Sequence, residues 1–199
     1  MTEYRFPYMR EVFEFRHSLS EETDRGCALM AAAYLADQLE RLLRRTFVDD
    51  ETAIEELFRP LGPLGSFSGR IEMCYALGLL SDETRRDLNL IRKIRNDFGH
   101  VAKTLTFDEP GIDARCRELH HSYREAESPA RSKFTSAVMA ISGVVHALIH
   151  MVRQPDVAGD VMRTEEMKRN VRELAEKWAA TTIEELGLAE VPRPEKSDT

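Results

Sequence analysis

Residues 88–101 read LNLIRKIRNDFGHV and carry the clearest structural pattern in the chain. On a helix, five apolar side chains of this stretch fall on one stripe that must face a core: Leu90, Ile91, Ile94, Phe98 and Val101. Arg92, Asn96 and His100 recur every fourth residue on the opposite side. The stretch therefore predicts an amphipathic helix whose polar side points away from its own core.

The same helical spacing recurs almost throughout the sequence, and alternating strand patterns are scarce. We therefore predict an all-α fold, a single-domain helical bundle over residues 1–153 with a C-terminal helical extension over residues 154–189. Residues 190–199 are charged and proline-rich, which predicts a disordered tail. No internal repeat is visible, and no linker is long enough to separate two domains.

Local signals predict where the helices begin. Ser18 followed by Glu21 has the pattern of a capping box and predicts the start of a long helix. Ser66 and Ser81 are predicted N-caps of two further helices. Ser128-Pro129 predicts the N-cap and first position of another long helix, which ends near residue 153.

The charge of the chain bears on its partners. The formal net charge is -7, whereas nonspecific DNA binding needs Lys and Arg side chains that neutralise phosphates. Residues 81–100 hold five Arg and Lys against four Asp and Glu, so this helix is not a basic recognition helix. Duplex DNA is therefore disfavoured as a partner, and so is a function as a DNA-binding repressor.

Other features exclude further classes. The longest apolar run, residues 137–152, is interrupted by Ser142, His146 and His150, so we expect no membrane partner. The N-terminus lacks the apolar core of a signal peptide, so we expect a cytoplasmic protein. The three cysteines form no C-x-x-C pair and are predicted to be reduced and buried. His146 and His150 share a helix face but lack a third ligand, so we expect no metal and no cofactor.

The candidate site is the polar side of the predicted helix at residues 88–101. We call Arg92, Arg95, Asn96 and His100 the polar ridge. A permanently charged guanidinium near an imidazole that titrates near neutrality suits an anion or a protein partner, although a merely solvated helix face has the same composition. Gly99 costs helix stability unless it caps the helix or admits a close neighbour. Because a ridge becomes a cleft when a second surface covers it, we predict a homodimer.

Several segments resemble the mannitol operon repressor (MtlR) family. They are PLGSFSGRI at residues 63–71, YALGLL at 75–80 and IRKIRN at 91–96, and residues 23–50 fit the preceding long helix. The resemblance spans about residues 20–125. It implies an all-α transcriptional regulator that acts through contacts with a protein partner of unknown identity and has no DNA-binding motif of its own.

The hexapeptide RNDFGH, residues 95–100, is similar to the R-N-x-x-x-H signature of the HEPN superfamily of helical domains. Active members are metal-independent ribonucleases of toxin or phage-defence systems that work as dimers. This resemblance implies that Arg95 stabilises the charge on the scissile phosphate, that His100 transfers a proton and that Asn96 positions one of them. A dimeric ribonuclease acting on RNA is therefore the alternative to the regulator, and the sequence leaves open whether the chain is an enzyme.

Overall fold

The computed structural model describes residues 7–100, 104–159 and 164–187 of the chain. Within these ranges all regular secondary structure is α-helical, which confirms the predicted all-α class. The helices are α1 (Pro7–Glu21), α2 (Asp24–Thr46), α3 (Glu51–Phe58), α4 (Phe67–Ala76), α5 (Asp82–His100), α6 (Pro110–Arg117), α7 (Ala130–Met151) and α8 (Glu165–Leu186). The chain divides into two compact units, Met1–Asp156 with α1–α7 and Val157–Thr199 with α8. The tail predicted at residues 190–199 lies outside the described residues.

Helix α2 is the centre of the first unit and packs against α1, α4, α5 and α7. Its apolar face includes Leu35, Leu39 and Leu42, which are fully buried. Opposite it, α5 buries four of the five residues of the predicted stripe, and the fifth, Val101, lies outside the described residues. The amphipathic pattern thus orients α5 in the bundle: its apolar stripe is buried, whereas Arg95 is exposed.

Helix α7 is long and apolar enough to cross a membrane by length and composition alone. Half of its apolar window is buried, and it packs against α1, α2 and α6. The polar residues of this helix are accommodated within the fold: Ser142 is buried and donates to the Val138 carbonyl at 2.7 Å. Its composition is therefore explained by its place in the core of the bundle.

Three aromatic rings join the end of α5 to α7. The ring centroids of Phe98 and Phe107 lie 5.1 Å apart, and those of Phe107 and Phe134 lie 5.0 Å apart. All three side chains are buried, and such tilted ring pairs stabilise beyond their burial alone. In addition, Arg25 Nε of α2 donates to the Phe98 carbonyl at 2.8 Å, which satisfies a carbonyl near the end of α5.

Two of the predicted N-caps are confirmed. The Ser66 hydroxyl accepts from the Gly69 amide at 3.0 Å, and the Ser81 hydroxyl accepts from the Thr84 amide at 3.2 Å. These bonds satisfy amides that have no partner within the first turn of a helix. They fix where α4 and α5 begin.

The predicted capping box at Ser18 and Glu21 is wrong. Helix α1 continues through Glu21, and Ser18 donates back to the Glu14 carbonyl at 3.2 Å. The N-cap of α2 is Thr23, whose hydroxyl accepts from the Gly26 amide at 3.1 Å. The predicted cap lies five residues before the actual one, and the sequence alone does not distinguish them because both Ser18 and Thr23 have side chains suited to capping.

The start of α7 is displaced by one residue from the prediction. Pro129 is the N-cap rather than the first helical residue, and no side chain accepts a hydrogen bond there. Ser128 therefore does not cap the helix. The backbone amides of the first turn of α7 are therefore left without a capping side chain.

The three cysteines are free and buried, as predicted. Burial raises the pKa of the Cys27 thiol to about 11 and that of Cys74 to about 12. Burial likewise raises the pKa of Cys116 to about 12. All three act as small apolar core side chains rather than as reactive thiols.

The second unit contains α8, whose apolar positions recur at helical spacing. Met167, Val171, Leu174 and Trp178 fall on one stripe, and all four side chains are exposed. Helix α8 is therefore amphipathic.

Candidate functional site

Two arginines in the first half of α5 form ion pairs with carboxylates from neighbouring segments. Arg85 forms an ion pair with Glu72 of α4 at 2.7 Å. Arg86 forms one with Glu118, just after α6, at 3.2 Å. The hydrogen bond from Arg85 also lowers the pKa of the Glu72 carboxyl. These arginines therefore have intramolecular partners for their charge.

The second half of α5 carries the polar ridge, and its arginines are bound differently. Arg92 Nε and Nη2 both lie 3.3 Å from the Asn89 amide oxygen. Arg95 Nη1 donates to the Asn96 amide oxygen at 2.9 Å. Among the described residues, neither guanidinium forms an ion pair with a carboxylate. Because amides carry no net charge, both arginines keep their positive charge available to a partner.

The structure brings together some of the predicted site residues. Arg95 is exposed and bound to Asn96, which is half-buried, whereas Arg92 is half-buried and turned to Asn89. His100 is the last residue of α5, and its side chain lies outside the described residues. The pairing of Arg95 with Asn96 is thus an observed contact, and the predicted role of His100 stays a prediction.

A cavity of about 370 Å³ lies beside the ridge, between the end of α5 and α6. Asn96 lines it together with Asp97, Glu109 and Arg115. Asp97 and Arg115 form an ion pair at 2.5 Å across this cavity wall. The sequence did not indicate that pair, because the two residues come from separate helices. The cavity adds carboxylate groups next to the amide of Asn96.

Gly99 has no steric reason to be glycine within the described part of the chain. A Cβ atom built on it meets no heavy atom within 4 Å. Its φ is not positive, in contrast to that of Gly78 at 71°. Neither helix capping nor a close neighbour therefore accounts for Gly99, and the space beside it is open to a partner.

A second polar cluster on α5, which the sequence did not reveal, is structural. The buried Asp87 carboxylate accepts from the backbone amides of His120 at 3.0 Å and His121 at 2.8 Å. The His121 ring lies 2.9 Å from Asp87 through Nδ1 and 3.2 Å from the Thr84 hydroxyl through Nε2. The Asp–His–Thr order is that of a catalytic triad, but Thr84 is buried. The cluster therefore holds the segment after α6 against α5.

The fold and this surface define a class of protein: an all-α bundle with a helix, α5, that carries two arginines without a carboxylate partner among the described residues. Such a surface suits recognition of another macromolecule. The chain belongs to the mannitol repressor (MtlR) family, which matches residues 11–158 and so includes the whole polar ridge.

Individual relatives agree with this family. The mannitol operon repressors of Escherichia coli strain K12 and of Escherichia coli O6:H1 strain CFT073 are each 27% identical to this chain over 103 residues. The matched part is 50% of this chain and 53% of each relative, so the chain spans about half the length of the curated relatives it matches.

The fold is also similar to that of a chain in the X-ray structure of the MtlR–HPr complex from Escherichia coli. The TM-score is 0.54 at 21% sequence identity. The match covers 74% of this chain and 99% of that chain. At this level of identity the similarity shows a shared fold.

Proposed function

We propose that this chain is a regulator of transcription that acts through protein contacts, and that an HPr protein is its partner. The observation that carries the proposal is the fold that the chain shares with a chain of the MtlR–HPr complex. Membership of the mannitol repressor family supports the regulatory role. The net charge of -7 argues in the same direction, because it disfavours direct binding to DNA.

We assign the contact with HPr to the polar ridge. Arg85 and Arg86 on the same helix have carboxylate partners, whereas Arg92 and Arg95 are bound to amides. On an acidic protein, a local cationic surface attracts an acidic patch of a partner in one orientation. Asn96 adds an amide at the rim of the neighbouring cavity, which can accept or donate a hydrogen bond.

The test is calorimetric titration of HPr into the full chain. The test variant is Arg92→Gln with Arg95→Gln, which removes two charges and retains most of the side-chain length. The matched control is Arg86→Gln, an exposed arginine on the same helix that already has a carboxylate partner. We expect wild-type binding, a dissociation constant at least about tenfold weaker for the double variant, and a change below about twofold for the control.

Each outcome bears on a separate part of the proposal. Wild-type protein that does not bind HPr would overturn HPr as the partner. Binding that the double variant retains in full would overturn the ridge as the contact surface. An equal loss in the control would show that general electrostatic attraction, rather than the polar ridge, accounts for the binding.

A second copy of this chain is the competing occupant of the polar ridge. Light scattering of the wild type and of the double variant tests this directly. A wild-type dimer that becomes a monomer in the double variant would place the ridge in a homodimer interface. If the wild type and the double variant have the same oligomeric state, the ridge is free to bind HPr.

A further inference from the structure

A second cavity, of about 360 Å³, lies in the first unit between α1, α7 and the segment that precedes α7. None of its lining residues belongs to the polar ridge or to the cavity beside it. Three arginines line it, Arg16, Arg124 and Arg131, together with five hydroxyl side chains and a few apolar ones. No carboxylate is among the lining residues, so the walls of this cavity carry positive charge alone.

The three arginines differ in whether a carboxylate already neutralises their charge. Arg131 is held by Asp24 at 2.9 Å and by two backbone carbonyls, so its role is largely structural. Arg124 lies over the ring of Tyr123 at 5.2 Å, and Arg16 is exposed. Neither Arg16 nor Arg124 forms an ion pair with another residue in the part of the chain that the structure describes. Two guanidinium groups therefore face one cavity without an anion.

The start of α7 contributes further donors to the same cavity. Pro129, Arg131 and Ser132 line it, and no side chain caps this end of the helix. The amides of the first helical turn and the positive end of the helix dipole therefore add to the two guanidinium groups. The hydroxyl of Thr135 is already bound to the Arg131 carbonyl at 2.9 Å, whereas the Ser132 hydroxyl makes no hydrogen bond within the described residues.

We propose that this cavity binds a small phosphate monoester. The phosphate would lie between Arg16 and Arg124, near Ser132, because guanidinium forks match phosphate oxygens and a dianion uses both charges. The organic part would contact Pro129 and Met139, the accessible apolar residues of the lining. A volume of about 360 Å³ is in the usual range for sites that bind small molecules and leaves room for a ligand larger than free phosphate.

The experiment is calorimetric titration at constant ionic strength with three probes: glucose 6-phosphate, inorganic phosphate and glucose. The proteins are the wild type, the variant Arg16→Gln with Arg124→Gln, and the matched control Arg92→Gln with Arg95→Gln, which loses the same charge at the polar ridge. We expect the wild type to bind the ester and glucose to give no heat of binding. The cavity variant should bind the ester at least about tenfold more weakly, whereas the ridge control should bind it like the wild type.

Several outcomes would overturn the proposal. They are an ester that does not bind, an equal loss in both double variants, and binding of glucose that matches binding of the ester. Inorganic phosphate that binds as tightly as the ester would replace the monoester with free phosphate as the ligand. Arg131 is left unchanged in these proteins because its contacts hold the fold, and thermal unfolding of each variant verifies that the bundle is intact.

Discussion

Arg131 at the start of α7 binds Asp24 at the start of α2, with 2.9 Å between Nη1 and Oδ1. Arg131 also donates to the carbonyls of Leu19 and Glu22, and the second oxygen of Asp24 accepts from the Phe107 amide at 3.0 Å. We call this set of contacts the Asp24 joint. It ties the end of α1, the start of α2, the loop after α5 and the start of α7 to one another.

Removal of the arginine from this joint should destabilise the bundle. In Arg131→Met the partly buried Asp24 carboxylate and two carbonyls lose a charged donor, which should lower the free energy of unfolding by about 2–3 kcal/mol. Urea denaturation followed by circular dichroism measures this. Arg10→Met is the control, because its pair with Glu14 is exposed and should contribute less than about 0.5 kcal/mol. Equal losses in the two variants would contradict a special role for the joint.

Gly99→Ala should stabilise the protein. The added methyl group meets open space and the backbone is not left-handed, so the substitution should raise the free energy of unfolding by about 0.5–1 kcal/mol. Gly78→Ala is the contrasting control, because φ at Gly78 is 71° and the substitution should destabilise by about 1 kcal/mol. Urea denaturation compares the two. A destabilised Gly99→Ala protein would mean that the glycine has a structural role in the fold.

The free energy of unfolding should decrease as the pH is lowered below about 6.5, in part because of His146. Burial on α7 lowers the pKa of His146, whose Nε2 lies 3.4 Å from that of His150, so the unfolded chain takes up its proton first. The contribution of the neutral side chain is complete above about pH 6.5 and declines as the pH falls towards the lower folded pKa. His146→Gln should flatten the dependence of the unfolding free energy on pH between about 6.5 and 5. Parallel curves for His146→Gln and the wild type would disprove this.

The ribonuclease alternative predicts a distinct result with RNA. Incubation of the wild type with tRNA and total RNA in EDTA should leave the RNA intact if the chain works through protein contacts. A HEPN-type enzyme would release fragments with cyclic-phosphate ends, and Arg95→Ala and His100→Ala would each abolish them. Cleavage that both variants lose would overturn the regulator as the whole function. Cleavage that both retain would point to a contaminating nuclease.

The orientation of α5 could be predicted from the sequence because its apolar residues recur at the helical period and so form one face. That face is the one that is buried. Ser66 and Ser81 could be predicted as caps for a similar reason, since each is preceded by a turn and followed by an apolar helix. The start of α2 could not be placed in this way. Ser18 and Thr23 offer equivalent local bonds, and α1, which packs against α7, continues past Ser18 to Glu21.

The residues of the candidate site were named from the sequence alone, whereas their surroundings could not be predicted from it. The contact of Arg95 with Asn96 is local, because the two residues are neighbours in the sequence. The ion pair of Asp97 with Arg115 joins residues 18 positions apart, and the bonds of Asp87 to the segment at His121 span 34 positions. Such pairs depend on how helices meet, which one sequence does not reveal.

The Asp24 joint also has a consequence for the order of folding. Its bond to Phe107 closes a separation of 83 residues, and its bond to Arg131 closes one of 107. The helices that carry these residues must meet before the individual hydrogen bonds can form, so we expect the joint to form after the transition state, when helices α2, α5 and α7 have already met. Weakening the joint should then shorten the lifetime of the native state and leave the rate of refolding nearly unchanged. We therefore expect the Asp24 joint to contribute to the kinetic stability of the bundle, by slowing its unfolding.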